Sequence, residues 1–300
     1  MSDPDRELTI QQVSLELGVP APTLRSWERR YGVPAAGRSQ GGHRRYGQNQ
    51  VAQLLRMRDL VAAGTRPGAA AAQIRAALDT TTETLIARFT AAALGLDSTG
   101  ISDVLDSAQQ VWGLDKAVDD VLLPAMREIG LRWEKGQGDV GHEHLATHAT
   151  QTWLAQVPKL ESPLPGTGPV ILCCGPRDQH TLGLEALGAL LRHRGWDCRL
   201  LGGRTPVESL ALAVRTTGAA AVVLVSHLAA GHASAVDALS SRALGDLPLF
   251  YAGGAFTTRQ ARRGVPGRYL GEDLSTAADV VTEALVSAAG AGRAPGHDVN

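Results

Sequence analysis

Three cysteines in 300 residues, two of them adjacent on an apolar run, leave no disulfide framework to build. No apolar run approaches the roughly 20 residues needed to span a bilayer, so no membrane partner is expected. The opening Met1-Ser-Asp-Pro-Asp-Arg-Glu7 is polar and acidic, which does not suit a signal peptide. These absences together predict a cytoplasmic protein. Net charge is −1, so the chain as a whole carries no field that would select nucleic acid or membrane. What is present, 44% hydrophobic and 20% charged residues, suits folded domains, and the length suits two or three of them.

The neutral total hides a local excess. Between Pro20 and Arg66 stand nine arginines (25, 29, 30, 38, 44, 45, 56, 58 and 66) against Glu28 and Asp59 alone. A basic block beside a neutral remainder is the footprint of a nucleic-acid module, and arginine suits bidentate phosphate and guanine contacts. Ile10, Val13 and Leu17 make one helical face, with Thr9 and Gln12 as a capping box. Gly18-Val19-Pro20 breaks that helix, and a second is predicted over 23–31 with Pro22 near its start. A helix, a glycine turn and a helix make a helix-turn-helix. Gly41-Gly42-His43-Arg44-Arg45-Tyr46 then reads as a basic hairpin.

Thr9-Ile10, Thr23-Leu24-Arg25, Glu28-Arg29 and Gly42-His43-Arg44-Arg45-Tyr46 resemble the MerR family of winged-helix regulators over residues 8–78. The string Arg25-Ser-Trp-Glu-Arg-Arg-Tyr-Gly32 is similar to its CarA, CarH and LitR branch, which regulates carotenoid genes. The resemblance implies that the second helix enters the major groove of double-stranded operator DNA while the wing touches backbone or minor groove. Arg25, Arg29, Arg30, His43, Arg44, Arg45 and Tyr46 are the implied DNA-binding residues. Trp27 reads rather as core, and most of the arginines as positioning contacts.

Farther on, the apolar run 169–174 leads into Asp178-Gln-His180-Thr-Leu-Gly183, a D-x-H-x-x-G string that precedes a helical stretch. A histidine in the loop at the carboxyl end of a parallel strand stands where open α/β sheets bind ligands. One ring nitrogen can ligate a metal while a carboxylate two residues back holds the other N–H. Ser226-His227-Leu228 ends a second apolar strand, and Gly253-Gly254 ends a third. The alternation of strands and helices from 170 to 288 predicts a doubly wound parallel sheet, and the tail 290–300 is expected to be disordered. By itself this is also the pattern of a flavodoxin-like domain with an incidental loop histidine. D-x-H-x-x-G, S-x-L and G-G together resemble the cobalamin-binding domain of methionine synthase and methylmalonyl-CoA mutase, over about 167–290. That resemblance implies His180 as lower axial ligand of cobalt and Asp178 as its partner. It also implies a slot for the displaced nucleotide tail, lined by Gly183, Ser226, Leu228, Gly253 and Gly254. Gly202 to Pro206, leading into a helix, offers backbone amides for the tail phosphate.

Between the two modules, helices are predicted over 82–94, 100–112, 114–134 and 140–157, a four-helix bundle within residues 82–160. Nine residues separate Trp133 from Glu143-His144. Taken alone, Trp133 reads as bundle core and Glu143-His144 as a solvated helix start. Trp-x9-Glu-His resembles the bundle signature of CarH-type photoreceptors, which implies that Trp133, Glu143 and His144 enclose a 5′-deoxyadenosyl group. One departure stands out. The family's histidine immediately after this tryptophan is Glu134 here. A carboxylate is a poorer ligand for low-spin cobalt(III) than imidazole, which leaves the upper position after illumination to water or to His142, His144 or His148.

From end to end the chain is similar to CarH/LitR-type, MerR-family, cobalamin-binding photoreceptor regulators. The expectation is a non-enzymatic, light-responsive transcriptional repressor with adenosylcobalamin as chromophore. Its self-association, as dimer or tetramer, would depend on light. Two other readings share part of this pattern. A corrinoid carrier for methyl transfer would use the same bundle and sheet but has no need of an operator reader. A MerR-type regulator with a vestigial cobalamin pocket would answer another signal.

Overall fold

A computed structural model describes residues 8–34, 37–38, 44–78, 81–162, 164 and 166–291. The chain divides into two compact units between Thr81 and Thr82. The first unit holds α1 (Ile10–Leu17), α2 (Ala21–Tyr31), the paired strands β1 (Gly37–Arg38) and β2 (Arg44–Arg45), α3 (Gln48–Ala62) and α4 (Pro67–Leu78). Thr9 and Gln12 close the expected capping box, and Gly18, with positive φ, ends α1 in the left-handed conformation. α2 begins at Ala21, two residues earlier than predicted. Pro22 stands within its first turn, where a missing N–H costs nothing. Leu24 and Trp27 of α2 are buried with Val13, Leu17, Leu54 and Met57 in a core of the unit's own. The residues that join β1 to β2, His43 among them with Gly41 and Gly42, lie outside the described residues.

The second unit opens with a four-helix bundle: α5 (Thr82–Leu94), α6 (Ser98–Trp112), a long third helix, and α9 (Val140–Ala155). The third helix was predicted as one regular stretch. Instead it runs from α7 (Leu114–Lys116) through a π-helical turn (Ala117–Leu122) into α8 (Leu123–Glu134). Pro124 is the physical cause. It lacks an N–H and its ring would crowd the carbonyl four residues back, so the helix widens there. Asp97 caps α6, and Asp139 with His142 forms a capping box on α9.

The sheet domain follows: β3 (Val170–Cys174), α10 (Leu182–His193), β4 (Cys198–Gly202), α11 (Val207–Thr217), β5 (Ala221–Val225), α12 (His232–Leu239), β6 (Leu249–Ala252), β7 (Arg268–Tyr269) and α13 (Leu274–Ala291). All pairings are parallel, in the order β4-β3-β5-β6-β7. That is the flavodoxin-like doubly wound arrangement, with its switch point between β3 and β5. Every residue of β3 and β5 is buried, as continuous apolar strands covered on both faces require. α12 ends at Leu239, and Arg242–Leu244 forms a separate 3₁₀ turn. α13 begins at Leu274, where two carboxylates cap its first turn. Asp273 Oδ1 accepts the Thr276 N–H at 2.7 Å, and Asp119 of the bundle accepts those of Leu274 and Ser275 at 2.9 and 3.0 Å. Of the tail expected to be disordered, Gly290 and Ala291 belong to this helix, and 292–300 lie outside the described residues.

One apolar cluster runs from the bundle through α10 and α13 onto one face of the sheet. Polar ties reinforce it. Arg194 pairs with both Asp115 and Asp279, at 3.0 and 2.8 Å, and Gln151 of α9 donates to Glu185 of α10 at 2.9 Å. The bundle is thereby fastened beside the carboxyl ends of the strands, where a ligand would lie.

Candidate cobalamin and DNA sites

Asp178 sits in the loop after β3 with 1% of its surface exposed. Its Oδ1 accepts the backbone N–H of His180 at 2.8 Å and His180 Nδ1 at 2.8 Å. Its Oδ2 accepts the backbone N–H of His227 and, at 3.2 Å, His227 Nδ1. Burial alone would raise the carboxyl's pKa. The hydrogen bonds from the His227 side chain, the two backbone amides and the His180 side chain outweigh it and hold the group well below the usual carboxylate range. Asp178 is therefore the acceptor and each ring meets it through Nδ1, so in the neutral imidazole the lone pair lies on Nε2. The His180 side chain is 59% exposed and free to present that lone pair; that of His227 is 35% exposed. The rings lie 5.3 Å apart between centroids. Burial, with the Asp178 and Glu185 carboxylates, pushes the neighbouring Cys174 thiol up to about 12, so it offers no thiolate to a metal.

Beside His227 lies a cavity of about 430 Å³, walled by Gly183 and Leu187 of α10, the strand ends Val225 and Ala252, Gly253 and Gly254, and Ala277 of α13. Leu123 and Arg127 of α8 close it from the bundle side. Gly253 has φ 102, and a Cβ there would collide with the Ser226 backbone. A Cβ on Gly254 would come within 2.7 Å of the His227 carbonyl oxygen. The glycine pair thus lets the β5 and β6 loops close up while leaving the slot open. Next to Gly183 a Cβ would meet nothing within 4 Å, which is open space on the cavity side.

Not every expected residue lines this cavity. Ser226 is fully buried, and its Oγ, without a hydrogen-bond partner, lies against Gly231. Leu228 is exposed at the strand end and is not part of the wall. Two amides of the Gly202 to Pro206 loop are already taken. The Arg204 N–H is bound to the Asp178 carbonyl at 2.6 Å and the Thr205 N–H to Cys174 at 3.4 Å, because this loop folds against the D-x-H loop. On the bundle, Trp133 is 48% exposed, so it is not core packing; Glu143 is half-buried and His144 exposed on α9. His142 is tied down, its Nδ1 accepting the Asp139 N–H at 3.1 Å, whereas His148 and Glu134 are exposed. The sequence reading missed His227 as a partner of Asp178. A histidine in the second strand-end loop, matching His180 in the first, was the available signal.

In the first unit Arg25, Arg29 and Arg30 are all exposed on α2, while Leu24 and Trp27 of the same helix are buried. Arg25 and Arg29, four residues apart, share a face. Arg44 and Arg45 form β2 of the wing. Tyr46 corrects the expectation of a DNA contact. It is 1% exposed, held by a backbone bridge to Leu8, and its ring packs in the core.

A family model described as "MerR HTH family regulatory protein" matches residues 8–76, and one described as "B12 binding domain" matches residues 85–157, the bundle. The fold of the second unit is that of corrinoid proteins. The monomethylamine corrinoid protein of Methanosarcina barkeri superposes with a TM-score of 0.54 at 14% identity, over 68% of this chain and all of that one. A reader of DNA joined to this fold defines a B12-binding transcriptional regulator. The HTH-type transcriptional repressor CarA of Myxococcus xanthus is 35% identical over 68% of this chain and 70% of its own. CarH of the same organism is 30% identical over 81% of this chain and 88% of its own. The chain belongs to the CarA/CarH family.

Proposed function

We propose that this chain is a light-responsive repressor that reads operator DNA with residues 8–78 and holds adenosylcobalamin between the bundle, 82–160, and the sheet domain, 167–290. The observation that carries the cofactor reading is His180. It is an exposed imidazole whose Nδ1–H is held by a buried carboxylate, with Nε2 free, beside a glycine-walled cavity. The donor set fits a cobalt ligand backed by an outer carboxylate, and the slot fits an elongated nucleotide tail. The buried, unpartnered Ser226 Oγ adds a polar atom next to that slot's wall.

Bound adenosylcobalamin supplies a cobalt–carbon bond that light breaks. The protein's own part is to hold and to report. Asp178 orients His180, and Gly183, Gly253 and Gly254 leave room for the tail. Trp133 offers a bare indole on the bundle, with Glu143 and His144 on the next helix to enclose an adenosyl group. A ligand gripped by both bundle and sheet biases the bundle's position and hence self-association, as dimer or tetramer, which sets affinity for DNA through linkage. Because the reader's arginines are exposed and its core is complete, DNA binding is open to control by assembly state alone.

The test is a gel shift with operator-containing DNA, in the dark and after green light, with and without added adenosylcobalamin. Binding should strengthen with cofactor in the dark and weaken on illumination, in step with loss of the oligomer on a sizing column. Trp133→Ala should diminish both the dark oligomer and the preference for adenosylcobalamin over methylcobalamin. A colourless protein whose DNA binding ignores both cofactor and light would establish the vestigial-pocket reading instead.

A further inference from the structure

Asp178 has two imidazole partners, and only one is accounted for by a lower axial ligand. His227 comes from the loop after β5, 49 residues away in sequence, and reaches the carboxylate with both its backbone N–H and its Nδ1. It also lines the cavity between α10 and α13 alongside Gly253 and Gly254, whereas His180 does not. One residue therefore touches both halves of the site: the carboxylate behind the metal-binding imidazole, and the wall of the slot.

We propose that His227 is a positioning residue that couples the two halves, fixing Asp178 so that His180 presents Nε2 to cobalt and contacting the nucleotide tail in the slot. The proposal rests on the reading of His180 as the cobalt ligand. Its physical basis is the division of the carboxylate. Oδ1 serves His180 and Oδ2 serves His227. Without the imidazole, Oδ2 keeps the His227 backbone N–H as its donor while Oδ1 keeps two, so the carboxylate is held unevenly and the His180 ring, more than half exposed, gains room to turn with it. With both oxygens held, the ring has one orientation and one tautomer. His227 is itself seated by its backbone, so a tail that packs against its ring stabilises the whole clamp.

Two probes separate the roles: cobalamin, and cobinamide, which has the corrin ring but no nucleotide tail. His227→Ala should lower cobalamin affinity by about 10- to 100-fold, the usual cost of removing an outer partner of a metal ligand, and reduce the fraction showing the histidine-ligated absorption spectrum. Cobinamide affinity should fall less, because it makes no tail contact to lose. His227→Asn supplies an amide N–H to Oδ2 but no imidazole in the slot. It should restore the histidine-ligated spectrum while cobalamin still binds less tightly than to wild type. The asparagine variant decides the matter even if the alanine variant does not fold. Unchanged affinity and spectrum in His227→Ala would overturn the proposal, as would equal losses for both probes, or an asparagine variant no better than alanine in its spectrum. A wild-type protein that never shows histidine ligation, or a His180→Ala variant that still does, would instead overturn the cobalt reading beneath it.

Discussion

In the first unit the side chains proposed to meet DNA stand clear of the core, whereas in the second the proposed cobalt ligand is fastened to it. Arg25, Arg29 and Arg30 project from a helix whose opposite face, Leu24 and Trp27, is buried. Nothing in the core needs the guanidinium groups, and the DNA contacts proposed for them would act at a distance by field and by flexible contact. His180 depends on a carboxylate that is itself buried and held by two loops. The contrast follows from the ligands. A DNA backbone is a long line of equivalent charges and tolerates mobile partners, while a metal takes one lone pair from one direction.

The largest effect that sharpens this contrast is expected at His180. His180→Ala should abolish the histidine-ligated cobalamin spectrum and cut cobalamin affinity by at least the roughly 100-fold upper range seen for outer partners. It should leave the thermal melt of the cofactor-free protein nearly unchanged, because the side chain is mostly exposed and Asp178 keeps its two backbone donors. A large drop in melting temperature would show that the imidazole holds the fold, and the division between holding and binding would fail.

Next in size is the wing. Arg44→Ala with Arg45→Ala should weaken binding to all DNA sequences alike, and should lower the slope of log affinity against log salt by about 2, one per lost phosphate contact. Filter binding at several salt concentrations measures it. A loss confined to one sequence, with the slope unchanged, would mean these residues read bases and are positioned as tightly as the cofactor site.

Much of this was legible in the sequence, for identifiable reasons. Thr9 and Gln12 announce a helix start through local chemistry, and the structure makes that capping box. The continuous apolar runs at 170–174 and 221–225 are buried parallel strands. The DNA-reading module is legible through its arginine-rich 20–66 and its helix-turn-helix pattern, and the MerR family model matches 8–76. Two kinds of fact were not legible. Tyr46 was grouped with its basic neighbours, but its burial follows from pairing with Leu8, a partner 38 positions away. The second clamp on Asp178 likewise joins residues 49 apart, and a sequence motif records His227 only as an unspecified position. Pro124 was passed over within the helix predicted for 114–134, although a proline inside a helix breaks, kinks or widens it.

The smallest expected effect tests whether the fastening of the second unit extends to the junction of bundle and sheet. The first turn of α13 is capped from within by Asp273 and from the bundle by Asp119. Hydrogen bonds from the Thr276 side chain and backbone, with that of Ser275, lower the Asp273 pKa against a small opposing effect of burial. A depressed folded-state pKa contributes stability that is present above the unfolded value, near 3.9 for aspartate, and is lost as pH falls through the folded one. Asp273→Ala should therefore cost about 1 kcal/mol at neutral pH, the usual worth of a helix cap, and the difference from wild type should shrink as pH drops below about 4. Denaturant melts of the cofactor-free protein at pH 7 and at acid pH measure both numbers. Asp119→Ala removes two acceptors that cross from the bundle, so the two variants together should cost more than their sum if the cap is shared. Strict additivity would mean that the two carboxylates cap α13 independently of one another.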